Sequence, residues 1–464
     1  MRRLLALAAG LVAAVPAHGQ SGQFDLNKTK TVLTGLINKA ITENGVPSIQ
    51  IALVKGDSVV WTAAFGYSNV RMKVPATTET YYSTGSTFKS ATATAIMQLV
   101  EQGKLKLDDP VNRYLGDTRI QDQLQVEKPV TFRHILTHRS GLLAGANTKS
   151  IWGRELPKTL DKMVSGLYSV RPPEQKYEYN NYAYGMAGLL IEKISGVEYE
   201  KYMYENVIKP LGIKTEHFVR PTPEMVELMA LPYNAGGAGK PPTPVEQVHF
   251  DVYPAGDIWL RAEEMARFLG AHLNGGVWQG KRIISEASVK TAHEAPYGGN
   301  YAFGWGVRKD PKSGHTIIAH TGGIPGMSSN MVGDVDAKVG VYYMSNSGAP
   351  GSIADAAIAL LRGEDWAPPA DRKAIALDAK ALDRYVGSYQ LNPDLSIVVA
   401  REANGLVFRA NGQGQATELL AESATRFFVK GQGFTVEFVS NAAGEVEKLV
   451  IESDGEKQEA KKTK

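Results

Sequence analysis

Strand-like segments lie near both ends of the first 365 residues, and helical segments lie between them. Residues 48–65 carry apolar side chains on both sides of a turn at 55–58, which predicts a β-hairpin. Residues 316–319 and 339–344 are short apolar runs of strand type, and residues 353–361 have helical spacing. These runs predict one sheet assembled from both ends of a domain, with the helical middle forming a lobe of its own.

Four further segments have the spacing of helices with a buried face. They are residues 31–43, 84–101, 131–138 and 263–273. Thr131 is a suitable N-cap for the third of them, and Gly103 is a suitable stop for the second. Because the second helix begins close to Ser86, we expect the hydroxyl of Ser86 at a helix N-terminus.

A change of pattern after Pro368 and Pro369 predicts a second domain. Short apolar segments follow, separated by turns with Gly and Asn, at residues 395–399, 406–409, 426–430, 435–439 and 446–451. This spacing is typical of a small all-β module, either a sandwich or a barrel. We therefore expect a mixed α/β domain over 20–365, a linker over 366–376, a β-domain over 377–454 and a frayed, charged tail over 455–464.

The first 19 residues have the parts of a secretory signal peptide. Arg2 and Arg3 give a basic start, residues 4–15 are apolar, and small residues precede a cleavage point before Gln20. The apolar run is shorter than the roughly 20 residues that span a bilayer, which makes a membrane anchor the weaker interpretation. We expect a secreted protein of the bacterial periplasm or medium, without an integral membrane segment in the mature chain.

Charge and cysteine content exclude several classes of function. The chain has 51 Lys and Arg against 48 Asp and Glu, and loss of Arg2 and Arg3 leaves the two classes nearly equal. Such a balance predicts no general affinity for nucleic acid or for anionic membranes. The chain has no Cys, which excludes disulfides, a thiol nucleophile and zinc sites built on thiolates.

Ser86 and Lys89 are the first candidate catalytic pair. A lysine three residues after a serine shares its helical face, so the amine can reach the hydroxyl. A hydroxyl is a weak nucleophile without such a base, and the amides of a helix N-terminus can stabilise an oxyanion. The spacing alone is weak evidence, because an N-capping serine followed by a solvated lysine has the same pattern.

Two later motifs carry groups that would complement this pair. Tyr179 could pass a proton to a leaving group, and the Asn181 amide could orient Lys89 and hold a substrate carbonyl. The tyrosine-rich segment around them could also be core. The other motif follows the run at 316–319 and consists of His320, Thr321, Gly322 and Gly323. The amide of Gly323 would be a second oxyanion donor beside that of Ser86, unless the segment is an ordinary strand exit.

In this order, Ser-x-x-Lys, Tyr-x-Asn and His-Thr-Gly resemble the motif set of the serine β-lactamase and penicillin-binding protein family. The tyrosine of the middle motif resembles the class C-like branch, which includes esterases and D-aminopeptidases. Residues 95–111, 131–142 and 304–306 resemble other blocks of the family, so the likeness spans about 46–346. It implies an antiparallel sheet flanked by helices, an all-α lobe and a cleft between them, followed by a small all-β C-terminal domain that more loosely resembles a lipocalin-like module.

The resemblance also implies an acyl-enzyme mechanism without a cofactor. Ser86 would be the nucleophile, with Lys89 and Tyr179 handling protons in an order that the sequence leaves open. Gly323 would hold the oxyanion, and the remaining substrate contacts would come from Asn181, His320, Thr321 and Gly322. The expected partner is a small peptide, ester or β-lactam substrate, and assembly of copies through the β-domain is an open alternative.

His320 stands where β-lactamases mostly have lysine. A neutral imidazole offers one hydrogen bond but no fixed charge for a substrate carboxylate, so amide or peptide hydrolysis is favoured over ester and β-lactam hydrolysis. A buried, structural His320 is the competing interpretation. A non-catalytic penicillin-binding or cell-wall-binding protein is the rival class, and the intact pair of Ser86 and Lys89 argues against it.

Two further histidines have a spacing that is also found in metal sites. His134 and His138 are four residues apart, a spacing that can place two metal ligands on one helix. No glutamate follows His134, and the segment resembles a block of the family that binds no metal. We therefore expect no metal site here.

Overall fold

The computed structural model describes residues 23–121, 123–125, 128–143, 150–151, 159–237, 239–368, 372–392, 395–402, 405–410, 416–429, 435–453 and 456–463. The signal peptide expected over residues 1–19 lies outside this described part of the chain. Within the described part, no helix combines the length and the apolar character that a membrane crossing needs.

A seven-stranded antiparallel sheet is built from both ends of the first domain, as the sequence predicts. Its strands are β1 (Ser48–Lys55), β2 (Ser58–Asn69), β3 (Val74–Pro75), β4 (Gly306–Lys309), β5 (Thr316–Ile324), β6 (Met327–Asp334) and β7 (Val339–Ser345). Their order in the sheet is β4-β5-β6-β7-β1-β2-β3. β1 therefore pairs with β7, with Ile51 opposite Tyr343, and this pairing joins the early and late segments.

The described residues contain twelve α-helices, of which the first eleven surround this sheet or lie between its two halves and the last packs with the C-terminal strands. They are α1 (Leu26–Asn44), α2 (Lys89–Glu101), α3 (Asn112–Leu115), α4 (Phe132–Leu136), α5 (Leu160–Val164), α6 (Asn181–Ser195), α7 (Tyr199–Met203), α8 (Pro223–Glu227), α9 (Ala262–Leu273), α10 (Glu286–Ala292), α11 (Ser352–Leu361) and α12 (Ala379–Leu382). Short two-stranded pairs join Tyr82–Ser83 to Trp259–Leu260, Ser150–Ile151 to Val248–His249, Tyr233–Asn234 to Thr243–Pro244, and Val277–Trp278 to Lys281–Arg282.

Apolar packing covers both faces of the sheet, which explains why β1 is an almost continuous apolar run. Ile49, Ile51 and Leu53 of β1 pack with α1 and α11 on one face. Ala52 and Val54 point to the other face, where α2, α9 and the helical lobe form the larger core. α2 lies at the centre of this core, and every residue from Lys89 to Leu99 is buried. A catalytic group at the start of α2 is thus held by a rigid element.

The C-terminal residues form a closed antiparallel barrel. Its strands are β8 (Gly387–Asn392), β9 (Leu395–Glu402), β10 (Gly405–Ala410), β11 (Thr417–Ala421), β12 (Arg426–Phe428), β13 (Thr435–Ser440), β14 (Val446–Ser453) and β15 (Glu456–Lys462). Closure occurs between β8 and β15, where Tyr389 lies opposite Lys462. Of the two all-β architectures that the sequence allows, the structure has the barrel.

The expectation of a frayed tail over 455–464 is wrong, because Glu456–Lys462 is the eighth strand of the barrel. It pairs along its length with β14, and the Lys448 amine lies 2.8 Å from a carboxylate oxygen of Glu459. Ala460 is fully buried whereas Lys457 and Glu459 are exposed. One small apolar residue suffices because backbone hydrogen bonds to both neighbouring strands hold the segment.

Candidate active site

Ser86 lies in a 3-10 turn, Gly85–Phe88, that leads directly into α2. The Thr87 hydroxyl fixes this turn by donating to the carbonyl of Thr84, 2.7 Å away, and by bonding to the hydroxyl of Tyr342 at 2.8 Å. Thr87 is fully buried, whereas Ser86 is partly exposed. The turn thus presents one hydroxyl to solvent from a fixed backbone, as the sequence predicts for a nucleophile at a helix start.

The turn packs directly against β5, and glycines make this contact possible. Gly85 has a φ of +52°, and a Cβ atom there would lie 2.6 Å from the nitrogen of Gly323. A Cβ atom on Gly322 would lie 2.3 Å from the carbonyl oxygen of Thr84 and 3.0 Å from the nitrogen of Ser86. The backbones that carry the amides of Ser86 and Gly323 are therefore in van der Waals contact, which places two candidate oxyanion donors close together.

Lys89 is the buried partner of Ser86. Its amine donates to the Ser86 hydroxyl at 2.9 Å and to the carbonyl of Ala255 at 2.5 Å. The side chain is fully buried, and the amine lies 4.9 Å from the ring centre of Tyr179 and 5.6 Å from that of Tyr184. Burial lowers the pKa of Lys89 well below the ordinary value of a lysine. A neutral amine beside Ser86 can accept the proton of its hydroxyl.

Tyr179 completes the group around the Ser86 hydroxyl. Its ring stands beside the amine of Lys89, and its phenol lies near enough to the Ser86 hydroxyl for that hydroxyl to influence the pKa of Tyr179. Burial raises the pKa of Tyr179, and the hydrogen bond with Ser86 opposes that rise only in part. The phenol is therefore kept protonated, which suits a group that donates or relays a proton.

Asn181 and its neighbour Asn180 have different roles in the structure. Asn180 is the N-cap of α6, where its side-chain oxygen accepts from the amide of Ala183, and its side-chain nitrogen donates to the carbonyl of Leu142. Asn181 is the first residue of α6 and is half-buried. Within the described part of the chain, the Asn181 amide makes no hydrogen bond to Lys89.

His320 is buried, and both of its ring nitrogens have partners. Nδ1 lies 2.7 Å from the carbonyl oxygen of Thr321, so this nitrogen donates, and Nε2 accepts from the hydroxyl of Tyr301 at 3.0 Å. Burial lowers the pKa of His320 to about 3. The ring is neutral, as expected, but its N–H already has an acceptor. The N–H that was expected to face a substrate is thus bonded to the protein itself, and the buried position is also compatible with the alternative of a structural His320.

The far half of β5 borders the cleft. β4 pairs only with Thr316 to Ala319, and in the described sheet no strand covers the outer edge of β5 beyond Ala319. Thr321 and Gly323 are exposed on this edge, whereas Gly322 is buried against the Ser86 turn. An extended substrate backbone can therefore approach this edge next to Ser86.

The two histidines of the 131–138 segment have separate contacts. His134 bonds through Nε2 to a carboxylate oxygen of Glu174 at 2.8 Å. Glu174 also accepts from Tyr297 at 3.1 Å and from Lys128. Its pKa is lowered to about 2, above all by Lys128. His138 instead accepts at Nδ1 from the amide of Asn180, so the two rings have different hydrogen-bond partners.

Comparison with protein families supports this geometry. A model described as Beta-lactamase matches residues 33–364. The chain belongs to the β-lactamase family. A second model, described as Domain of unknown function (DUF3471), matches residues 371–462, which include the barrel. The family is one of serine hydrolases.

Relatives of this β-lactamase-family chain include proteins with several activities. Penicillin-binding protein 4* of Bacillus subtilis (strain 168) is 28% identical over 444 residues, covering 89% of this chain and 94% of that protein. The octameric penicillin-binding protein homologue from Pyrococcus abyssi shares the fold with a TM-score of 0.62 and 24% identity, over 94% of this chain and 100% of that one. The D-amino acid amidase from Ochrobactrum anthropi SV3 has a TM-score of 0.58 and 22% identity, over 72% and 97% of the two chains.

Three contributors to the site were not expected from the motifs. The carbonyl of Ala255 binds the amine of Lys89, the hydroxyl of Tyr301 binds His320, and His138 lies against the ring of Tyr179 at 4.2 Å between ring centres. Each of these residues contacts a partner that is distant in the sequence, so no local sequence pattern predicts its role. The only hint for His138 is its place in the segment 131–142, which resembles a family block.

Proposed function

We propose that this chain is an exported serine hydrolase that cleaves an amide or peptide bond through an acyl-enzyme on Ser86. The observation that carries the proposal is the 2.9 Å hydrogen bond between Ser86 and a fully buried Lys89. An amine kept neutral by burial is a general base at neutral pH, and a surface lysine is not. A protein that only binds its ligand does not need this costly arrangement.

In the first half of the reaction, Lys89 takes the proton of the Ser86 hydroxyl as its oxygen attacks the substrate carbonyl carbon. The negative charge that forms on the carbonyl oxygen is stabilised by the amides of Ser86 and Gly323. The phenol of Tyr179 passes its proton to the leaving nitrogen and regains one from the Lys89 ammonium, the C–N bond breaks, and an acyl ester on Ser86 is left with Lys89 neutral again.

In the second half, a water molecule replaces the leaving amine and attacks the ester. Lys89 and Tyr179 again handle the proton, the bond to the Ser86 oxygen breaks, and a carboxylic acid leaves. Lys89 is favoured over Tyr179 as the base that starts the reaction, because burial makes the amine neutral and disfavours the phenolate.

The substrate class follows from the neutral state of His320. Its position on β5 next to the cleft carries no positive charge, and its only ring N–H binds the carbonyl of Thr321. A substrate carboxylate would find no counter-ion from this residue. We therefore favour amides and peptides held away from a free carboxyl group, with esters second and β-lactams third.

A panel of chromogenic substrates with active-site labelling tests the proposal. Aminoacyl anilides of both chiralities, p-nitrophenyl esters and nitrocefin are compared on the same preparation. Wild type should be labelled by a fluorophosphonate and should hydrolyse at least one anilide, and Ser86→Ala should do neither. Labelling of Ser86→Ala equal to wild type would disprove the role of Ser86, and turnover of no substrate by a labelled protein would favour a binding function.

Export forms a separate part of the proposal. It rests on the basic start, the apolar run and the small residues before Gln20. Expression in a bacterial host followed by N-terminal sequencing of the periplasmic fraction is the test. A mature chain that begins at Gln20 supports export, whereas an uncleaved chain retained in the cytoplasm contradicts it.

A further inference from the structure

A cavity of about 310 Å³ lies inside the C-terminal barrel, apart from the site around Ser86. The side chains described in its wall are all Ile, Val, Leu or Phe and come from five strands. Val399 on β9, Leu419 on β11, Val436 on β13 and Leu449 on β14 are buried, while Phe408 on β10 is half-buried. The alternation of strand residues thus places an entirely apolar surface around an unfilled space.

The two halves of the barrel differ in how they are filled. At one end, Tyr385 packs on Phe438 at 4.5 Å and on Phe427 at 5.4 Å between ring centres, and its hydroxyl donates to the carbonyl of Ala424. Leu382 of α12 is buried in the same cluster. The other half has mostly aliphatic side chains, which are too short to meet across the barrel. The cavity therefore lies between an aromatic plug and the end where β8 turns into β9.

We propose that this barrel binds one uncharged ligand with an unbranched aliphatic chain. The side chains described in the wall carry no polar group that could hold water, and apolar cavities in proteins stay dry and take up apolar molecules. The volume is about twice that of the engineered 150 Å³ cavity that binds benzene, which corresponds to a chain of roughly ten carbon atoms. Binding here would be independent of the reaction at Ser86 and would give the second domain a function of its own.

Adjacent valines on β9 offer a matched pair of variants. Val399 lines the cavity, and its neighbour Val398 points to the opposite face of the strand. Val399→Phe fills the cavity, whereas Val398→Phe adds the same ring on the outside. Phe408→Ala provides a third variant, which enlarges the cavity.

The test titrates the full-length protein with N-phenyl-1-naphthylamine, an uncharged dye that fluoresces in apolar surroundings, and displaces the dye with decanol. We expect saturable binding of one dye per chain, weakened about tenfold or more by Val399→Phe and changed less than about twofold by Val398→Phe. Phe408→Ala should shift the preference among alcohols towards dodecanol. Ser86→Ala should bind the dye as wild type does, which separates the barrel from the cleft.

Three results would overturn the proposal. The first is the absence of saturable dye binding by wild type. The second is equal weakening by Val398→Phe and Val399→Phe, which would show that the dye does not distinguish the inside of the barrel from its outer face. The third concerns Phe408→Ala, which replaces Val399→Phe as the test if circular dichroism shows that Val399→Phe does not fold. If Phe408→Ala leaves the preference between decanol and dodecanol unchanged, the cavity is not the binding site.

Discussion

His138 holds the backbone on both sides of Tyr179. The amide of Glu178 donates to the carbonyl of His138 at 2.8 Å, and the amide of Asn180 donates to its Nδ1 at 3.0 Å. The imidazole ring also lies 4.2 Å from the Tyr179 ring, centre to centre. His138 adopts a φ of +58°, a conformation that costs energy for a residue with a side chain and is maintained here by its surroundings. One residue thus fixes the position and the ring plane of Tyr179.

The first prediction is that His138 acts on catalysis through Tyr179. His138→Ala should lower kcat by roughly 10²-fold with little change in KM, because a displacement of about 1 Å has that effect on catalytic groups. Asn tolerates positive φ, and its oxygen can replace Nδ1 as the acceptor, so His138→Asn should recover most of the loss. In a Tyr179→Phe background, His138→Ala should cause little further loss. A full additional loss in that background would show that His138 acts by another route.

The second prediction concerns Lys89. Lys89→Met should slow acylation of Ser86 by roughly 10²–10⁴-fold, the usual contribution of a general base. In wild type the pKa of Lys89 is lowered by burial, so activity should be lost as the pH falls through this lowered value and the amine becomes protonated. Stopped-flow acylation rates between pH 4 and pH 10 measure this loss of activity at low pH. Tyr81→Phe, which lies outside the Ser86–Lys89 pair, is the matched control.

Lys89→Met should also change the thermal stability of the protein. Below the ordinary lysine pKa of about 10.4 the unfolded chain carries a charged Lys89, and folding must neutralise or bury that charge. Lys89→Met removes this cost and should raise the melting temperature at pH 7, with the gain shrinking as the pH approaches 10. A variant that is both inactive and less stable would contradict the neutral amine at this position.

Local sequence patterns predicted the main strands and helices of the first domain. The hairpin of β1 and β2 and the helix α9, expected at 263–273 and found at Ala262–Leu273, follow from apolar spacing and a turn that can be read within one segment. The start of α1 at Leu26 was missed, because its first turn is polar and is stabilised by the Asp25 cap rather than by an apolar face.

The site was predictable only in its motif residues. Ser86 and Lys89 are three residues apart, so helical geometry alone brings them together. The partner of His320 is Tyr301, and the pair depends on how two separate segments pack, which no local pattern reveals. The N–H of His320 that was expected to face a substrate binds the carbonyl of the adjacent Thr321 instead. The strand β15 was missed because barrel closure, not its own composition, orders it.

The third prediction concerns substrate charge. Wild type should turn over nitrocefin poorly compared with a p-nitrophenyl ester, because His320 supplies no cation for a carboxylate. His320→Lys should narrow this gap by about tenfold, since a hydrogen bond to a charged group contributes roughly 1.5–3 kcal/mol. Tyr301→Phe removes the hydrogen bond to the same ring without adding a charge, and it should leave the ratio of the two kcat/KM values unchanged. A wild type that prefers nitrocefin by about a hundredfold would contradict this role of His320.

The fourth prediction concerns acid stability. His272 and His293 are buried, with Nδ1 of His272 3.2 Å from Nε2 of His293, and burial lowers the pKa of His293 to about 3 and that of His272 well below its ordinary value. Their neutral state stabilises the fold fully above the unfolded value near 6.5, and this contribution is lost as the pH falls towards 3. The free energy of unfolding should fall by up to about 1.4 kcal/mol per pH unit for each of them.

Urea unfolding at pH 7, 6 and 5 measures this slope. His293→Gln keeps a donor and an acceptor beside His272 but cannot take up a proton, so its slope should be shallower by about one proton than that of wild type. His315→Gln is the matched control, because the side chain of His315 is 35% exposed and bonds to Asp334 rather than to a second histidine. Equal slopes for wild type and His293→Gln would show that the buried pair does not titrate on unfolding.

The last prediction tests the strand that closes the barrel. A chain that stops after Ser453 lacks β15, so β8 and β14 are left with unpaired edges and the apolar interior around Ala460 is opened. This chain should lose the thermal transition of the barrel and aggregate, while fluorophosphonate labelling of Ser86 in the first domain persists. A chain that stops after Lys462 keeps β15 and should unfold as wild type does. If both truncations behave alike and remain soluble, the last residues are a tail after all. Loss of Ser86 labelling in the shorter chain would instead mean that the first domain depends on the closed barrel.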